Sequence, residues 1–66
     1  MTIRVNGEAR EVPSGTTVAA LLPMLGIEGG RIAVEVNRCI VPKSEHATHV
    51  LDEGDQLEIV TMVGGG

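Results

Sequence analysis

The sequence predicts a small α+β domain, a mixed sheet of four to five strands with one helix packed across it. Three observations carry that reading. Short aliphatic runs with strand character stand at both ends of the chain, and a single stripe of helical period lies between them. Asn, Gly and Pro punctuate the runs at intervals that suit turns. The chain has 66 residues, is 42% hydrophobic and lacks Phe, Tyr and Trp, so one small core of packed aliphatic side chains is all it can build.

Thr2-Ile3-Arg4-Val5 alternates polar and apolar residues, as a half-buried strand does. Asn6-Gly7 follows as a strong hairpin signal, because both central residues of a type I′ turn need positive φ. Ala9 to Val12 is the returning strand, and Pro13-Ser14-Gly15 breaks it. Thr16 or Thr17 can cap a helix on which Val18, Leu21, Leu22 and Leu25 form one apolar stripe. Pro23 removes a hydrogen bond inside that helix, so a kink or a tightened last turn is expected, and Gly26 ends the element. A helix of about two turns cannot stand alone in water and must lie on a sheet.

Ile32-Ala33-Val34-Glu35-Val36 is a strand with Ile32, Val34 and Val36 on one face. Asn37-Arg38 turns the chain into the short strand Cys39-Ile40-Val41, stopped by Pro42. Residues 43 to 49 are polar, with one helical turn around Ser44-Glu45-His46. Asp52-Glu53-Gly54-Asp55 is a turn, and Gln56 to Val63 is the last strand. Hairpin, crossing helix and mixed sheet in this order make the β-grasp, or ubiquitin-like, arrangement, although pattern alone also permits another small α+β fold. Residues 1–63 are expected to form this domain and residues 64–66 a flexible C-terminal tail. The crossover is expected to set the third strand parallel to the first, with the last strand in the middle of the sheet.

The last strand leads without a spacer into Gly64-Gly65-Gly66. A stalk of residues without Cβ atoms can pass through a narrow slot, and what it offers chemically is its terminal carboxyl group. The carboxyl of Gly66 is therefore the candidate reacting group. Alternation along the strand turns Leu57 and Ile59 to the core and Val60 and Met62 to the open face, so Val60, Met62 and Val63 are candidate docking residues beside Gly64 and Gly65.

From residue 34 onward the chain resembles the ThiS family of sulfur carrier proteins of thiamin biosynthesis. The resemblance rests on Val34-Glu35-Val36-Asn37, Ile40-Val41-Pro42-Lys43, the run Leu51 to Val60 and Val63-Gly64-Gly65-Gly66. Looser agreement at Val5-Asn6-Gly7, Gly15 to Val18 and Leu21-Leu22 extends it over essentially the whole chain; Pro23 departs from the uninterrupted helix expected there. The resemblance implies a protein cosubstrate that is no enzyme itself. A ThiF-like adenylating enzyme would use ATP and Mg²⁺ to activate the Gly66 carboxyl, a persulfide sulfur donor would displace AMP, and the resulting C-terminal thiocarboxylate would serve a ThiG-like thiazole synthase. No cofactor is bound permanently, and the free carrier is expected to be a monomer.

Other function classes find less support. With nine acidic and five basic residues the formal charge is −4, and no cluster of Lys and Arg or aromatic platform suggests nucleic acid. No apolar run reaches the roughly 20 residues that cross a bilayer. One cysteine, Cys39, excludes an internal disulfide and, with no signal peptide, suggests a cytoplasmic protein. Cys39 could carry a persulfide but reads as a small apolar strand residue, and His46 and His49 read as surface residues without a third metal ligand. Asp52, Glu53 and Asp55 read as turn residues, and no Ser/His/Asp arrangement suggests hydrolysis. The alternatives are a MoaD-like carrier for molybdopterin or another sulfur-transfer pathway, a ubiquitin-like modifier conjugated through Gly66, and a passive β-grasp binding module.

Overall fold

The computed structural model of the protein describes residues 1–28 and 31–62, the side chain of Met62 excepted. The elements in chain order are β1 (Thr2–Val5), β2 (Glu8–Glu11), α1 (Val18–Met24), β3 (Arg31–Val36), β4 (Cys39–Val41), a 3-10 turn (Lys43–Glu45) and β5 (Gln56–Met62). The strands form one mixed five-stranded sheet in the order β2-β1-β5-β3-β4. With one helix on one face, this is the β-grasp fold.

Two hairpins hold the sheet edges. In the first, Asn6 at φ 50° and Gly7 at φ 85° make the two-residue turn, and Val5 faces Glu8. The returning strand therefore starts one residue earlier than Ala9, and Val12 falls just past its end. Val12 is buried and donates its N–H to the Met1 carbonyl at 2.9 Å. In the second hairpin Asn37 and Arg38 both adopt positive φ, and Val36 pairs with Cys39.

β5 lies between the two hairpins, parallel to β1 and antiparallel to β3. It follows that β3 runs antiparallel to β1, which corrects the expected parallel pair. The crossover connection obeys the strands it joins, and α1 joins β2 to β3. Those two do run the same way, and β5 enters between them only after the helix has passed over the sheet.

The helix is short but closed at both ends. Thr17 is the N-cap, its hydroxyl accepting from Ala20 N–H at 3.1 Å. The N–H groups of Val18 and Ala19 donate to the carbonyls of His49 and His46, so the polar loop supplies the remaining partners. At the other end Gly26, at φ 76°, bonds to Pro23 O while Ile27 N–H reaches Leu22 O. That pair of bonds is a Schellman closure, and Leu22 and Ile27 both pack against the core beneath it. Leu25 N–H is shared between the carbonyls of Leu21 and Leu22, the tightened last turn expected after Pro23.

Among the described residues, eleven buried aliphatic side chains make the core. Ile3 and Val5 of β1, Val34 and Val36 of β3, Val41 of β4 and Leu57 and Ile59 of β5 meet Val18 and Leu21 of α1, with Val12 and Leu51 from the loops. None carries an aromatic ring, so the small volume is filled by branched side chains in interdigitating rows.

Candidate functional site

The strand that leads to the glycines is the best held in the sheet. β5 pairs with β3 over six residue positions, from Arg31 opposite Met62 to Val36 opposite Leu57. On its other side the ladder to β1 is shorter, with Arg4 N–H on Asp55 O and Asn6 N–H on Leu57 O, both at 2.9 Å. Asn6 then continues the ladder with its side chain. Its Oδ1 accepts from Ile59 N–H at 2.8 Å and its Nδ2 donates to Ile59 O at 3.1 Å, which is what a further strand residue would do.

A second asparagine anchors the start of β5. Asn37 Oδ1 accepts from Gln56 N–H at 3.0 Å, and Asn37 Nδ2 donates to Asp55 Oδ1 at 2.9 Å. The other oxygen of Asp55 accepts from Asp52 N–H at 2.8 Å, closing the 52–55 turn. Glu53 reaches back to accept from Thr2 N–H at 3.0 Å. Asp52, Glu53 and Asp55 are thus turn and strand anchors, and Asp55 is itself 9% exposed. Carboxylates that accept backbone N–H groups in this way fix geometry.

Side-chain direction along β5 follows the expected alternation. Leu57 and Ile59 point into the core, and Val60 is turned to the open face with 56% of its surface accessible. Register adds two neighbours that the linear sequence did not single out. Ala33 stands directly opposite Val60, and Ile40, 75% exposed, stands opposite Glu35 on the same face. Both positions could be found only once the strands were paired, because Cys39-Ile40-Val41 is too short to show its own alternation. Met62 belongs to β5 by its backbone, and its side chain lies outside the described residues. Val63, Gly64, Gly65 and Gly66 lie outside the described residues.

The remaining candidates are structural or solitary. His46 is buried, at 7% exposure, with Nε2 3.0 Å from the Val41 carbonyl; the reading of a surface histidine is corrected there. Its own carbonyl caps α1, so the residue pins the polar loop to both the helix and β4. His49 is half-buried and its carbonyl serves Val18. Cys39 is a free, exposed thiol in β4. Among the described residues no three His, Cys, Asp or Glu side chains converge as metal ligands, and no helix is long and apolar enough to cross a membrane.

The ThiS family model matches residues 3–66. A thiazole synthase of Paramagnetospirillum magneticum is 47% identical over 66 residues, which is all of this chain and 20% of that protein. The chain thus spans about a fifth of the length of the thiazole synthase relatives it matches. The sulfur carrier protein ThiS of Escherichia coli is 33% identical and matched over its entire length. Among solved structures, the thiamine biosynthesis protein ThiS of Geobacter metallireducens superposes with a TM-score of 0.84 at 26% identity, with both chains fully covered.

Proposed function

This chain belongs to the ThiS family, and from that premise we propose that it is a sulfur carrier whose Gly66 carboxyl is the reacting group. A carboxylate is a poor electrophile. Adenylation by a ThiF-like enzyme, with ATP and Mg²⁺, would exchange a carboxylate oxygen's negative charge for an AMP leaving group and release pyrophosphate. The terminal sulfur of a persulfide donor would then attack the acyl carbon and expel AMP. A second thiol would cleave the acyl disulfide so formed, leaving a thiocarboxylate on Gly66 and a disulfide on the thiols. The thiocarboxylate would pass its sulfur to a ThiG-like thiazole synthase.

The observation that carries the reading is the position of β5. The strand that runs into the glycines is central, paired on both sides and clamped by Asn6 and Asn37, while its outward side chain Val60 is free for a partner. A rigid strand of this kind aims whatever follows it. The two relatives named thiazole synthase that contain a segment like this chain favour thiazole synthase as the acceptor over a molybdopterin pathway.

The test is intact mass after incubation with a ThiF-type enzyme, Mg-ATP and a sulfur donor. The expected result is a shift of one oxygen replaced by sulfur, lost when Gly66 is deleted. An unchanged mass, with an enzyme proven on its own partner, removes the carrier reading; an isopeptide-linked product would make the chain a modifier instead. Gly65→Ala and Gly66→Ala should each leave the far-UV circular dichroism spectrum unchanged and slow pyrophosphate release severely. A Cβ at either position must fit beside the nucleotide in a closed site, and wild-type rates in both variants would contradict that.

A further inference from the structure

The central strand is not paired along the whole of both its sides. β3 accompanies β5 as far as Met62, but β1 meets it only at Gln56 and Leu57. Beyond those positions Asn6 takes over the lane, its side-chain amide exchanging two hydrogen bonds with Ile59. Backbone polar groups two residues apart along a strand point to the same side. The N–H and C=O of Thr61 therefore face the lane that the chain leaves at the Asn6-Gly7 turn. Among the described residues neither group has a hydrogen-bond partner there, and Thr61 is exposed.

An open strand edge is a template for a further strand. Sheets blunt such edges with Lys, Pro or a bulge, but Thr61 is neither residue and its register to β3 runs without a bulge. Asn6 shows that the lane suits a strand, because its amide reproduces the paired donor and acceptor of an antiparallel neighbour. The sequence supplies a second, independent argument. Gly64-Gly65-Gly66 follow shortly after Thr61 and offer no side chain to hold. A partner that keeps such a segment in one register can grip only its backbone N–H and C=O groups. Glycine also loses the most freedom on being ordered, and a ladder of hydrogen bonds offsets that loss.

We propose that the lane beside Thr61 receives an extended strand of thiazole synthase, which pairs with Thr61 and continues along the glycines. The proposal rests on the carrier reading above and names the contact that the sulfur acceptor makes. The relatives point to this occupant, because in two proteins named thiazole synthase a segment like this whole chain is one fifth of a single polypeptide. Main-chain hydrogen bonds of the added strand supply the affinity. Asn6 sets where that strand begins: Ile59 is already satisfied, so Thr61 is the first free position.

The experiment measures backbone amide exchange of Thr61 in the free chain and in its complex with a ThiG-type thiazole synthase. Strand addition should slow it by about tenfold or more, the scale of one hydrogen bond, while Ile59 exchanges slowly in both. Thr61→Pro removes this N–H but no bond of the β3 ladder, so it should fold and melt close to the wild type. It should bind thiazole synthase about tenfold or more weakly, whereas Thr61→Ala, which keeps the N–H, should bind like the wild type. A Thr61 amide that exchanges equally fast in the free chain and the complex overturns the proposal, and that reading needs no variant to fold. An Ala variant as weak as the Pro variant also overturns it, by assigning recognition to the side chain. Protection that rises with the concentration of the chain alone gives the edge to a second copy instead. Intact mass reports the carrier reading separately. A wild type that gains sulfur yet does not bind thiazole synthase, or binds with Thr61 unprotected, loses strand addition alone. One that neither gains sulfur nor binds loses both.

Discussion

Asn6 occupies a position where the backbone needs a left-handed residue and β5 needs a partner beyond the end of β1. Asparagine meets both demands: its φ is 50°, and its amide pairs with both polar groups of Ile59. Glycine would satisfy the first and lose the second. Asn6→Gly should therefore destabilise the domain by about 1–2 kcal/mol, the net worth of two hydrogen bonds less the relief of the left-handed backbone. Urea unfolding followed by far-UV circular dichroism would read it; equal or greater stability would mean that the side-chain clamp contributes nothing. Asn37 repeats the device at the other end of β5 with Gln56 and Asp55. Both asparagines are visible in the sequence as turn residues, but their second role depends on which strand arrives beside them.

At the scale of the element, α1 shows how seven residues can form a helix that has little intrinsic stability. Its first free N–H groups are taken by Thr17, His46 and His49, and its last turn closes on Gly26 and Ile27. The Thr17 cap is a single side-chain bond, so Thr17→Ala should cost about 1 kcal/mol, and Thr17→Ser should restore most of it. Chemical denaturation of the two variants side by side checks the assignment, since a packing role for the methyl group would leave Ser as poor as Ala. Pro23 was expected to disturb this helix and does, by tightening the final turn. The disturbance falls where the helix was about to end, which is why the element survives.

The molecule as a whole has little reserve. Total stability for a chain of this length is about 3–10 kcal/mol, and neither a disulfide nor an aromatic side chain adds to it. Leu57 is 2% exposed at the centre of the middle strand. Leu57→Ala should cost about 3 kcal/mol and lower the melting temperature by about 15 °C or more. Thermal circular dichroism is the suitable probe, because a chain without Trp or Tyr gives no useful fluorescence. A drop of only a few degrees would mean that the core collapses around the gap. Because β5 is a core strand, such a variant should, on the proposed carrier reading, also lose partner binding in proportion to the fraction unfolded.

The sequence alone determined the elements and much of their order. The Asn6-Gly7 and Asn37-Arg38 turns, the stripe from Val18 to Leu25 and the alternation through Leu57, Ile59 and Val60 are local patterns, set by backbone sterics and side-chain period within a few residues. The resemblance through Ile40-Val41-Pro42-Lys43 and the terminal glycines likewise needed no coordinates. Tertiary structure decided what depends on residues distant in the chain. The direction of β3, the partnership of Asn6 with Ile59, the burial of His46 and the open backbone edge at Thr61 all require knowing which strands become neighbours. A strand pattern states which face a residue takes but not what stands beside it, because pairing register is fixed by the packing of the whole sheet against one helix.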